Sequence, residues 1–274
     1  MTMRSNLRAS FCKPLGCCLA FLLVMSAGRA FAGPGAPEPL DQLLDRTAGV
    51  VQGFFKQFSD VACTEVVAQD KLEKNNKVEY QEKSTFDYVL LAQSNGGDPT
   101  LVESRLPKEE AQHKRNLPLM VTNGFATLVL VFHPYYRAGF EFTVLGDEVA
   151  NDRTYVKVSF RHIKGLRSTT ALLVRGREYA LDLEGVAWID PDTGTVLRIN
   201  ARLEDPMEDI GLRAMQADVL YAPVTFQGAP QAYWLPSQAV IDVQSAHQHW
   251  RNQHRFTAYR QFATEVRSTI GQTP

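Results

Sequence analysis

From Val61 onward the apolar residues of this chain recur mainly at every second position, almost to the C-terminus. That period puts successive side chains on opposite faces of a strand, so the pattern describes strands with one buried and one solvated face. The segments are Val61–Leu72, Val78–Gln93, Thr100–Arg105, Gly139–Leu145, Tyr155–Ile163, Glu178–Gly185, Val186–Asp190, Thr195–Glu204, 214–226, 233–245 and Arg251–Ile270. Turn formers separate them at hairpin spacing: Glu73–Lys77, the loop Gln93–Thr100, Gly146–Arg153, and Asp190-Pro191-Asp192-Thr193-Gly194. Ten or eleven antiparallel strands make a sheet too large to stay flat, which implies that it curls into a barrel or half-barrel.

Two segments break the period. Leu40–Phe58 spaces Leu40, Leu43, Leu44, Ala48, Val51, Phe54, Phe55 and Phe58 by threes and fours, which predicts an amphipathic helix whose stripe needs a sheet to cover it. Between Leu117 and Phe132, Leu119, Met120, Val121, Phe125 and Ala126 precede the unbroken apolar run Leu128–Phe132. Thr122 or Asn123 is a candidate N-cap for a short helix over Gly124–His133, apolar all round and ended by Pro134, with a strand as the alternative because Val129 and Val131 are β-branched. Too short for a bilayer and too apolar for a surface, this segment must be enclosed by protein. The stretch Pro107–Asn116 is charged and has no apolar face.

The N-terminus reads as a secretory signal peptide over residues 1–32, to be cleaved before Gly33. Arg4, Arg8 and Lys13 precede the apolar run Leu15–Met25, and Ala30-Phe31-Ala32 supplies the small-x-small site. Cys17 and Cys18 lie inside that run rather than after it, so lipidation is not expected. Residues 33–39 form a Pro/Gly linker, 40–270 a single domain and 271–274 a tail. Cleavage leaves Cys63 as the sole cysteine, placed in an alternating strand, so the mature domain depends on its apolar core rather than on a disulfide. With 29 Lys and Arg against 30 Asp and Glu, no basic excess exists for a nucleic acid backbone, and none is expected as a partner. Hydrophobic residues at 45% and a mean hydropathy of −0.21 fit a globular domain rather than a polytopic membrane protein.

No strong catalytic, phosphate-binding or dinucleotide motif occurs, so no enzymatic activity, catalytic residue or cofactor is predicted. His247, His249 and His254 are assigned to a hairpin tip rather than to a metal site. Asp190-Pro191-Asp192-Thr193-Gly194 reads as a turn with a glycine bulge rather than a cation loop. Arg260 alternates onto the side of Phe256, Ala258, Phe262 and Val266, where it either meets solvent or projects into a cavity to hold a lid or an anionic head group.

The segment Gly185–Arg198 (GVAWIDPDTGTVLR), followed by strands through 233–243 and 256–266, resembles the lipoprotein-carrier superfamily over about 40–270. That group includes periplasmic lipoprotein chaperones, mycobacterial lipid carriers and the sensory domain of a sigma-factor regulator. The resemblance implies a mainly β, α+β fold: a large curved antiparallel sheet forming an unclosed barrel around one or two helices, with a hydrophobic cavity for acyl chains. No family binding residue is carried over. The charged 107–116 insertion and HPYYRAGFEF at 133–142 depart from the family pattern.

The leading expectation is therefore a monomeric, periplasmic, non-catalytic carrier or chaperone of lipid or acylated protein cargo. The alternative is a sensor or envelope-assembly factor that uses the same fold to bind a protein partner. The candidate ligand site lies between the apolar segment, through Phe125, Leu128, Val131 and Phe132, and the strand faces at Phe86, Tyr88 and Leu90 and at Phe140 and Phe142, with Arg260 at its rim.

Overall fold

The computed structural model describes residues 39–58, 61–95, 98–108, 124–150, 152–174, 177–228 and 232–261. The predicted signal peptide, residues 33–38 of the linker, the candidate N-cap at Thr122 or Asn123, residues 109–116 of the charged stretch and residues beyond 261 lie outside this set.

The helix forms as its spacing predicts, α1 spanning Leu40–Phe58. It is followed by β1 (Val61–Leu72), β2 (Val78–Asn95) and β3 (Asp98–Pro107), so the residues expected as a loop after Gln93 are largely strand. A 3-10 helix at Leu128–Phe132 and a one-turn helix α2 (Pro134–Arg137) lead into β4 (Phe140–Ala150) and β5 (Arg153–His162). Next come β6 (Ala171–Val174) and β7 (Arg177–Ala180), which pair only with each other. Last are β8 (Leu183–Ile189), β9 (Val196–Leu203), β10 (Leu212–Val224), β11 (Tyr233–Ser245) and β12 (His249–Gln261). The strand expected over Glu178–Gly185 is thus divided between the small β6–β7 hairpin and the start of β8.

The other ten strands form one antiparallel sheet in the order β3-β2-β1-β12-β11-β10-β9-β8-β5-β4. It does not close, because no ladder joins β3 to β4 among the described residues. This is the unclosed antiparallel architecture expected of the sequence. Its topology has a direct consequence: β3 and β4 are consecutive in the chain yet occupy opposite edges of the sheet. The connection between them must therefore cross from one edge to the other, and it carries the run Leu128–Phe132 onto the sheet's inner face, where all five side chains are buried.

That run is a 3-10 helix rather than the longer α-helix, or the strand, that the sequence suggested. Pro134 holds the preceding His133 in an extended conformation (φ −64°, ψ 137°) and starts α2 as its first residue instead of closing the earlier helix. Two of the five residues before it are β-branched, which disfavours an α-helix there. The tighter 3-10 turn satisfies their backbone over a short span.

Helix α1 covers the same inner face with Leu43, Leu44, Ala48, Val51 and Phe54, all buried. It packs on the 190–194 turn, which forms as its sequence predicts. Asp190 Oδ1 accepts from the backbone N–H of Asp192 (3.0 Å) and Thr193 (2.9 Å), and Gly194 adopts φ +73°. A Cβ at Gly194 would stand 2.8 Å from the Thr47 nitrogen, so glycine there serves both the turn and the helix contact. At Gly185 a Cβ would lie 2.2 Å from the Asn200 carbonyl oxygen and 2.7 Å from the Phe160 ring, so its absence lets the ring lie flat on the strand.

Strand β12 carries the main departure from simple alternation. Ala62 of β1 pairs with Arg260 and Thr64 pairs with Thr257, so Ala258 and Tyr259 together stand opposite Cys63. Ala258 has φ +50°. This β-bulge reverses the parity of the strand. Trp250, Asn252, His254 and Phe256 face inward, whereas beyond the bulge Arg260 faces outward.

Candidate functional site

Apart from Phe86, the predicted apolar residues belong to the core that lies on the inner face. Leu128, Val131 and Phe132 are fully enclosed, and Phe125 is 7% exposed. Phe132 lies 5.4 Å from Phe142 and 6.5 Å from Phe160 between ring centroids, with Phe140 6.1 Å from Phe160, forming an aromatic group across β4 and β5. On the opposite flank Tyr88 and Leu90 are buried and Phe86 is half-buried. Arg260 does not join them. It is 51% exposed and donates to Asp87 Oδ1 at 2.8 Å on the outer face. The bulge at Ala258 overturns the placement that strict alternation would give it.

Beneath Phe125 the inner face carries a buried charge cluster that the sequence reading missed. Cross-strand register brings it together: Tyr88 is opposite Arg105, Leu90 opposite Glu103, and Val67 opposite His254, while Glu65 lies two residues before Val67 on the same face. Arg105 reaches past the Tyr88 ring, its guanidinium 5.1 Å from the centroid, to grip Glu65 through Nε to Oε2 (2.6 Å) and Nη2 to Oε1 (2.9 Å). Its Nη1 stands 2.9 Å from Glu103 Oε2. His254 Nδ1 lies 2.8 Å from Glu65 Oε1. The Glu65 and Glu103 side chains are 0% and 5% exposed. His254 is therefore an inward-facing core residue, not part of the hairpin tip to which the sequence assigned it with His247 and His249. His247 is exposed at that tip, and His249 is bonded to Asp242 at 2.6 Å.

The environments of the two carboxylates push them apart. Burial raises the Glu65 carboxyl, but hydrogen bonds from His254 and Arg105 outweigh it and hold the group below the usual range. Glu103 goes the other way: burial dominates and raises it, with Arg105 and the Gly124 amide offsetting only part of the cost. Burial likewise lifts the Tyr88 phenol well above its ordinary value and pushes the Cys63 thiol up to about 12, which leaves that cysteine an inert packing residue.

The cluster touches the crossing segment directly. The Gly124 N–H donates to Glu103 Oε1 at 2.6 Å, and at the second residue of the run the Val129 N–H donates to the Tyr221 hydroxyl at 3.1 Å. Between Phe125, Ala126 and the cluster lies a void of about 10 Å³, bordered by Glu103, Arg105 and His254. That holds about one water and no acyl chain. The 3-10 run thus occupies the space in which the sequence reading placed a ligand.

A larger depression of about 420 Å³ lies on the outer face, lined by Glu141, Arg161, Glu184, Asn200 and Arg202 of β4, β5, β8 and β9. It is a solvated groove of exposed ion pairs, such as Arg161 with Glu184 at 3.0 Å, and it lacks the apolar lining of a lipid site. No group of metal-ligating side chains is assembled among the described residues.

No family model and no curated protein matches the chain. Similar solved structures include a DUF1329 family protein from Desulfovibrio piger, at 11% identity, covering 86% of this chain and 95% of that one, with a TM-score of 0.46. Another is a putative outer membrane lipoprotein-sorting protein domain from Vibrio parahaemolyticus, at 10% identity, 83% and 95% coverage, and a TM-score of 0.44. A LolA superfamily protein from Nitrosomonas europaea is similar at 9% identity, 81% and 93% coverage, and a TM-score of 0.37. These are diffuse likenesses of fold.

Proposed function

We propose that this protein is an exported, non-catalytic binder of an acyl chain, acting in the periplasm as a carrier or chaperone of lipid or acylated protein. The observation that carries the reading is the wholly apolar run Leu128–Phe132, buried on the inner face of an unclosed sheet, and we read it as a detachable plug. Its own helix is short and of the weaker 3-10 kind, so its buried side chains and the backbone bonds of Gly124 to Glu103 and Val129 to Tyr221 hold it in place. Burying five such side chains contributes about 7–15 kcal/mol, and an acyl chain of about a dozen methylenes contributes about 10 kcal/mol. Exchange of plug for ligand is therefore close to balanced, which is what a carrier that must both load and release requires. The sheet remains paired on both sides of the plug throughout such an exchange.

Fluorescence titration with a pyrene-labelled long-chain alcohol tests this reading. A neutral probe avoids any effect of head-group charge. Saturable, stoichiometric binding by detergent-free protein supports the carrier, and absence of binding refutes it.

A second reading, a sensor or assembly factor that binds a protein, is favoured by the open edge of β4. There Val144, Leu145 and Val149 are 43%, 54% and 71% exposed, and an extended partner segment has an edge to join that is unpaired among the described residues. Native mass spectrometry of protein recovered from a periplasm separates the two, as a bound lipid mass or a bound polypeptide.

A further inference from the structure

We propose that the Glu65–Glu103–Arg105–His254 cluster is the head-group end of the acyl site, selective for a cationic, hydrogen-bond-donating amphiphile such as a lipid with a primary amine. This rests on the reading of the inner face as an acyl site and names the ligand class that site prefers.

Charge accounting leads to it. Two carboxylates face one guanidinium, and Arg105 spends its bidentate fork on Glu65. The Nδ1 of His254 is likewise engaged by Glu65. Glu103 is left with a single ion-pair contact from Arg105 and, on its other oxygen, the backbone N–H of Gly124. Its Oε2 has only that shared guanidinium, at 2.9 Å, and the hydroxyl of Tyr88, a residue 1% exposed, has no hydrogen-bond partner among the described residues. Native interiors seldom leave buried oxygens so.

The donor that Glu103 does have belongs to the plug. When Gly124–Phe132 leaves the inner face, the Gly124 N–H leaves with it and uncovers a buried carboxylate beside the void under Phe125. A carboxylate that has lost a donor and shares its one guanidinium with Glu65 calls for a further cation with donors. A primary ammonium brings three of them with a full positive charge, enough for both oxygens of Glu103. An anionic head group would meet two carboxylates against one arginine already engaged, and a hydroxyl would supply a donor without charge.

The test is displacement of the pyrene-labelled alcohol at neutral pH by an alkylamine, an alkanol and an alkanoate of equal chain length, each below its micelle concentration. The expected result is that the amine binds about tenfold or more tighter than the other two, the ratio one charge-assisted hydrogen bond supplies. Glu103→Gln keeps the acceptor for Gly124 and removes the charge, so it should erase the amine's advantage over the alkanol. A cooperative thermal melt with the parent's far-UV circular dichroism shows that the variant is folded. An alkanoate bound as tightly as the amine, or an amine preference that survives Glu103→Gln, overturns the head-group assignment while the acyl site stands. If the probe does not bind at all, the acyl-site reading fails and takes this inference with it.

Discussion

Arg105 and Glu65 meet through two parallel hydrogen bonds of 2.6 and 2.9 Å, reaching over the intervening strand β2 inside an otherwise apolar sheet face. Such a pair is costly to assemble and costlier to break, because removing one partner strands the other in a medium that does not solvate it. Glu65→Ala or Arg105→Ala is therefore expected to destabilise the domain by about 3–5 kcal/mol. The double replacement Glu65→Leu with Arg105→Met should cost much less than the two single costs combined. Urea midpoints of the three variants check this, and additive losses would contradict it.

Stability should respond to pH with opposite signs at the two carboxylates. Glu65, held below its unfolded value, contributes stability that is present above the unfolded pKa and is lost as pH falls through the folded pKa. Glu103, raised by burial, has the reverse linkage: the folded state holds its proton longer, so stability declines as pH rises from the unfolded pKa to the folded one. Thermal melts across pH should show Glu65→Gln losing ground to the parent chiefly on the neutral side. Glu103→Gln should gain on the parent over the same rise, and parallel behaviour of the two variants would show the assignment to be wrong.

Truncations within the plug should saturate. Phe125→Ala and Phe132→Ala each remove a buried ring and are expected to cost about 3–5 kcal/mol if the plug stays seated. Together they can cost no more than release of the plug, after which further truncation there is free. Phe160→Ala, in a strand of the sheet, should add its full cost to Phe125→Ala but couple with Phe132→Ala, whose ring it meets. Denaturant midpoints of the single, double and triple variants decide, and full additivity of Phe125 with Phe132 would make the segment ordinary core.

The bulge at Ala258 predicts a gain. A non-glycine residue at φ +50° pays the left-handed penalty of about 1 kcal/mol, so Ala258→Gly is expected to be neutral to stabilising. Arg260→Ala, which removes an exposed pair with Asp87, should change stability by less than about 1 kcal/mol and leave acyl binding intact. Loss of binding in Arg260→Ala would restore a cavity role to this residue.

The strands, the first helix and the 190–194 turn were legible because each is governed by local period or turn chemistry. The enclosure of Phe125, Leu128, Val131 and Phe132 was legible for a related reason, since a run so apolar has no other place to go. The polar end of the site was not. Glu65, Glu103, Arg105 and His254 come from three strands, and their union depends on a register that puts β12 beside β1, a pairing of chain ends that local pattern does not encode. A signal was nevertheless present: Glu65 alternates with Cys63 and Val67, and His254 with Trp250 and Phe256, which marks both as inward-facing. Of the two readings of Arg260 the solvent-facing one holds, because a single extra residue in the bulge inverts every position after it.

The central claim is that the run Leu128–Phe132 and an acyl chain compete for one space. Hydrogen exchange of its amides, with and without saturating long-chain alcohol, measures this directly. The account predicts that ligand accelerates exchange at Val129, Leu130 and His133, whose N–H groups are bonded to Tyr221, Thr127 and Leu130, while the ladders of β8 to β11 stay protected. Unchanged or increased protection of these three amides in the liganded protein would contradict it.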